Sequence, residues 1–124
     1  MQDFVITPYI VPYNTSVYAQ YTIQVNNRDE VIDRLKTQDI PTAVHYPIPL
    51  NQQPAFAVIN QSIKVSFPVA ERVAEQVMSL PMHPYLTEPE RRKICQVLIA
   101  NLGLESKDLA LAKVSKAEAN DDIP

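Results

Sequence analysis

The 124-residue chain carries 46% hydrophobic and 20% charged residues with a net charge of −3, the profile of one ordinary folded domain with a single modest core. No basic block or lysine–arginine stripe is present to neutralise a run of phosphates, which speaks against nucleic-acid binding. The longest apolar stretches, such as Phe4 to Ile10, fall far short of the roughly 20 residues needed to cross a bilayer, so no membrane association is expected.

Asp3 to Val11 is rich in Val, Ile and Tyr and predicts a strand, at an edge or irregular because Pro8 and Pro12 cannot donate to a ladder. After a turn at Tyr13-Asn14-Thr15, Ser16 to Val25 alternates through Val17, Ala19, Tyr21, Ile23 and Val25 and predicts a second strand. Asn26-Asn27 can cap a helix from about Arg28 to Gln38, with Asp29 and Glu30 in its first turn and Val31, Ile32 and Leu35 as its apolar face. Asp39 is expected in the left-handed conformation that ends such helices. Ile40 to Val44 then reads as a short strand returning beside the first pair, a β-β-α-β order.

His45 to Phe56 contains Pro47, Pro49 and Pro54, which excludes regular strand and predicts a rigid loop with a helical turn near Gln52. Ala57 to Ser66 shows no clear period, with short order expected around Ile59 to Val65. Pro68 suits the first turn of a helix whose core face is Val69, Val73 and Val77, flanked by Ala70, Ala74 and Met78. Leu80-Pro81-Met82 stops it and offers a short strand. Thr87 and Glu90 make a capping box before Ile94, Val97, Leu98 and Leu102, and Gly103 ends that last helix. Beyond Leu104 the tail holds five acids against three lysines and predicts a helical start that frays. The organisation expected is therefore a domain over 1–103 and a tail over 104–124, in an α+β fold whose small antiparallel or mixed sheet is covered by helices.

The densest chemistry is His45-Tyr46-Pro47-Ile48-Pro49-Leu50. An imidazole and a phenol offer donors and acceptors suited to hydroxyl-rich or phosphate-bearing ligands, and backbone preset by proline lowers the ordering cost of binding. The same two side chains at a strand end can instead satisfy local backbone groups. A metal site would need more than His45 and His83 with scattered carboxylates. Eleven prolines against one glycine argue against a glycine-rich phosphate cradle. Cys95 is the single cysteine; its helical setting predicts a buried small hydrophobe rather than a nucleophile, and no G-x-S-x-G elbow is present. With no basic-then-apolar leader, a cytoplasmic protein is expected.

The order of the segments resembles a known family. Ser16-Val17-Tyr18-Ala19-Gln20-Tyr21-Thr22-Ile23, Arg28-Asp29-Glu30, Leu35-Lys36, Ile40 to Leu50, Pro68-Val69-Ala70-Glu71 and Leu80-Pro81-Met82-His83-Pro84 are together similar to the C-terminal small domain of the DegT/StrS-type sugar aminotransferases. The similarity is collinear over about residues 3 to 102, and His-Tyr-Pro-x-Pro and Leu-Pro-Met-x-Pro are its most specific parts. It implies the small domain of a fold-type-I, pyridoxal-phosphate-dependent enzyme. Such enzymes are homodimers that move an amino group from glutamate to a keto-sugar nucleotide, for polysaccharide or antibiotic-sugar synthesis. By position His45 and Tyr46 inherit substrate contact, and neither is a catalytic base.

The family's Schiff-base lysine, its acidic partner for the pyridine nitrogen and its stacked aromatic residue belong to the large domain. No such motif is read here. Lys36 falls on a polar helix face, Lys64 in a loop, Lys93 in the last helix, and Lys107, Lys113 and Lys116 in the tail. No catalytic residue and no cofactor site are therefore expected in this chain. Its partners would be the missing large domain or a second copy, in a fragment of the enzyme or, alternatively, in a free-standing non-catalytic dimerisation module. Asp39 stands where the family usually has glycine, and Asn51 where histidine is common.

Overall fold

The computed structural model describes residues 5–56, 58 and 66–103, in two compact units that divide between Tyr85 and Leu86. The predicted order over 59–65 and the tail over 104–124 lie outside the described residues. In the first unit, β1 (Val5–Ile6), β2 (Tyr21–Val25) and β3 (Val77–Leu80) form an antiparallel sheet in that spatial order. It carries α1 (Arg28–Lys36) and α2 (Pro68–Gln76), with 3-10 turns at Leu50–Gln52 and Pro54–Phe56. The second unit contains α3 (Glu88–Asn101). The α+β class expected from the sequence is the class observed.

The sheet is smaller than the alternation implied. Among the described residues, β1 keeps two of the expected Asp3–Val11 strand, and β2 begins only at Tyr21. A turn closed by Asn14 N–H to the Val11 carbonyl and a left-handed Tyr18 (φ 47°) break the chain before β2. Period-two hydrophobicity does not outweigh a residue held at positive φ, which lies outside the regular strand conformation. Within β2, Ile23 and Val25 turn inward, and Ile23 pairs with Met78 of β3. On the other face Thr22 and Ser79 pair directly, their hydroxyls 2.9 Å apart.

Ile40–Val44 forms no full strand: Ala43 alone makes a bridge, and its partner is Ser79 of β3 rather than β1 or β2. A further correction concerns Val77 and Met78, which belong to β3 and not to the preceding helix. The helical period ran on through them because no glycine or proline marks the junction; the ladder with Tyr21–Gln24 supplies the hydrogen bonds that a continued helix would have made. The expected core face of α2 is accordingly buried only toward its C-terminal end. Ala74 is buried, Val73 half-buried, and Val69 and Ala70 exposed.

α1 ends in the manner the sequence implies. Asp39 is left-handed (φ 58°), its N–H donates to the Lys36 carbonyl, and the N–H of Ile40 donates to the Leu35 carbonyl, the paired bonds of a Schellman motif. Its start differs: Asn27 occupies the cap position in a left-handed conformation and makes no side-chain capping bond. Val31 and Leu35 are buried with Ile23, Val25, Ile40 and Met78 to form the core, each worth roughly 1.5–3 kcal/mol relative to exposure.

In the second unit the Glu90 carboxylate accepts the Thr87 N–H (2.8 Å) and the Thr87 side chain accepts from the Glu90 N–H, the reciprocal pair of a capping box. The Thr87 hydroxyl also donates to the Glu90 carboxylate (2.6 Å). Gly103 closes α3 at φ 69°. Cys95 is exposed, contrary to expectation, because it lies at the edge of the Ile94–Leu98 stripe rather than at its centre.

Candidate functional site

Two backbone bonds start the loop. Ala43 N–H donates to the Ser79 carbonyl (3.1 Å), and Ser79 N–H donates back (2.7 Å). Two residues on, His45 and Tyr46 are joined by a cis peptide bond, and their rings meet edge to face with centroids 5.6 Å apart. Both side chains are exposed, Tyr46 to 73%. Neither has a hydrogen bond to another described residue, so their polar atoms are open to a ligand.

Past Pro49 the chain coils into the expected helical turn. Gln52 N–H donates to the Pro49 carbonyl (2.9 Å) and Gln53 N–H to the Leu50 carbonyl (3.2 Å). The Gln53 side-chain amide returns to the Ile48 carbonyl (3.1 Å). Leu50, Asn51 and Phe56 line an open apolar depression with Phe67 and Ala70 at the start of α2. The loop thus carries an exposed imidazole and phenol at its start and apolar lining residues from Leu50 onward, a mixture that suits a ligand with both polar and apolar parts.

Glu71 of α2 links the two segments. It accepts from the Phe67 N–H (3.0 Å), from the Ser66 hydroxyl and from the Asn51 side-chain amide (3.4 Å). These donors, led by the Phe67 amide, hold its carboxyl below the ordinary glutamate value. Sequence reading missed this role, since a glutamate in a first helical turn is commonplace.

Arg28 was missed too, although a cation opening a helix runs against the usual dipole preference and so carries a signal. It is buried, and donates to the Ala74 carbonyl (2.6 Å) near the C-terminal end of α2 and to Asp29 (2.8 Å). A second, polar depression lies around it, lined by Asn26, Asn27, Asp29, Glu30, Glu75 and Gln76. No group of three or more His, Cys, Asp or Glu side chains that could hold a metal occurs among the described residues.

A pyridoxal-type cofactor needs an enclosed lysine, an acid facing the ring nitrogen and an aromatic face. The described lysines, Lys36 and Lys93, are both exposed, and neither lines either of the two depressions described above. The described residues do not fit that group.

Comparison with known proteins bears on the family of the chain. A family model described as the DegT/DnrJ/EryC1/StrS aminotransferase family matches residues 2–99. The UDP-2-acetamido-2-deoxy-3-oxo-D-glucuronate aminotransferase of Pseudomonas aeruginosa is 53% identical over 92 residues, covering 74% of this chain and 24% of that protein. The UDP-N-acetyl-3-dehydro-alpha-D-glucosamine 3-aminotransferase of Acidithiobacillus ferrooxidans is 44% identical over 82 residues, 66% of this chain and 21% of that one. A crystal structure of a DegT DnrJ EryC1 StrS aminotransferase from Brucella abortus superposes with a TM-score of 0.69 at 35% identity, covering 82% of this chain and 27% of that one. The chain thus spans about a quarter of the length of these relatives.

Proposed function

The chain belongs to the DegT/DnrJ/EryC1/StrS aminotransferase family, and on that premise we propose that residues 1–103 are the C-terminal small domain of a nucleotide-sugar transaminase whose substrate meets the His45–Leu50 loop. The observation that carries the reading is the pair of exposed rings at His45 and Tyr46, left without hydrogen-bond partners among the described residues, in a loop whose later residue Leu50 lines an apolar depression. The imidazole and phenol would bind the hydroxyl or phosphate oxygens of a sugar nucleotide, and the depression its apolar face. Both of the enzymes named above carry names for work on UDP-linked 3-keto amino sugars, which supports the same substrate class here. The amino donor would be glutamate, and the carbonyl chemistry of pyridoxal phosphate would be supplied outside the residues described. A soluble cytoplasmic dimer is the setting this reading expects.

Titration of the labelled chain with UDP-N-acetylglucosamine, followed by NMR, tests it. The ring resonances of His45 and Tyr46 should shift, and the accompanying backbone amide shifts at Ile48 and Leu50 should vanish in the His45→Ala, Tyr46→Ala double variant. Shifts confined to residues away from this loop sink the reading. Incubation with pyridoxal phosphate and borohydride should trap no single lysine stoichiometrically; one such adduct would place the cofactor in this chain.

A second reading, a non-catalytic dimerisation module, draws on the exposed apolar side chains of Leu50, Phe67 and Val69. Self-association at micromolar concentration in sedimentation would favour it.

A further inference from the structure

We propose that Glu71 is a positioning residue for the His45–Leu50 loop, clamping the loop's far end to α2 while the Ala43–Ser79 bridge holds its near end. The proposal rests on the reading of that loop as the substrate contact. At the near end the two bonds are backbone to backbone and would survive any side-chain change. At the far end the tie is made by side chains: the Asn51 amide reaches Glu71 Oε1 at 3.4 Å.

Glu71 is itself held by a reciprocal pair. Its own N–H donates to the Phe67 carbonyl (2.9 Å), and its carboxylate receives the Phe67 N–H (3.0 Å). Each group hydrogen-bonded to the carboxylate is a donor, so the ionised form is matched throughout. Because α2 passes directly into β3, Glu71 and Ser79 sit on one continuous segment, and both ends of the loop are tied to it. Between the ties Pro47 and Pro49 fix backbone φ, and the Gln53 side chain closes on the Ile48 carbonyl. His45 and Tyr46, lacking hydrogen bonds of their own to described residues, take their position from these ties.

Amide hydrogen exchange on the whole chain tests the clamp. The reporters are the Gln52 and Gln53 amides, both bonded within the turn, against the β2–β3 ladder as internal control. In Asn51→Ala and Glu71→Ala, exchange at Gln52 and Gln53 should rise about tenfold while the ladder stays unchanged, the expected result of losing a net hydrogen bond of ordinary strength. Glu71→Gln keeps an acceptor oxygen and should restore most of the protection. Unchanged turn exchange in Asn51→Ala overturns the proposal, as does acceleration of turn and ladder together in Glu71→Ala. UDP-N-acetylglucosamine titration separates the two readings: weaker shifts of His45 in Glu71→Ala than in the unaltered chain support positioning of the substrate loop, and equal shifts overturn it. Silence of His45 in the unaltered chain, with the exchange pattern as expected, refutes the substrate reading and with it the loop's function, though not the clamp.

Discussion

Arg28 and the His45–Tyr46 pair are handled by the fold in opposite ways. The guanidinium is taken out of water and given the Ala74 carbonyl and the Asp29 carboxylate, whereas the imidazole and phenol stay in solvent with no hydrogen bond to another described residue. A buried charge must be partnered or it destabilises the protein. An exposed polar ring carries no such penalty, and is free to spend its hydrogen bonds on a ligand. The first arrangement serves stability and the second is the one proposed for recognition, though all three residues lie in segments of the family-like sequence.

Substitution at the two places should separate these roles, with Asp39→Gly setting the scale between them. The largest effect is expected from Arg28→Met, which strands the Ala74 carbonyl near the end of α2 and should cost about 2 kcal/mol in urea unfolding; a loss below about 0.5 kcal/mol would mean that water replaces the guanidinium. Smaller and opposite in sign is Asp39→Gly. It removes the Cβ from a left-handed residue at φ 58° and should stabilise the chain by about 0.5–1 kcal/mol in the same assay. Smallest is the His45→Ala, Tyr46→Ala double variant, whose stability should stay within about 0.5 kcal/mol of the parent. A thermal melt that showed a large loss there would make the pair structural and erase the contrast with Arg28.

Three helix ends were legible in the sequence, because their signals are local. Thr87 with Glu90, Gly103 and Asp39 each act within a few residues, and each does in the structure what its sequence setting implies. Sheet membership is decided at long range and was read less well. Val77 and Met78 satisfy a helical period, yet they pair with Gln24 and Ile23, residues no local rule connects to them. Ala43 reaches Ser79 for the same reason: the partner was invisible until the strand existed. At the candidate site, the loop was legible from its prolines and ring types. The carboxylate that anchors it was not, since only the folded chain brings Asn51 beside Glu71.

The junction of α2 and β3 has one more consequence, for how the chain can vary in length. Gln76 is helical and Val77 extended, with no residue between them. Strand side chains alternate with a period of two, so a single inserted residue here would exchange the two faces of β3. Met78, fully buried opposite Ile23, would give up its place to Val77 or Ser79. Insertions are far easier to accommodate in the exposed turn around Tyr13, and that is where length differences between this chain and its relatives should collect.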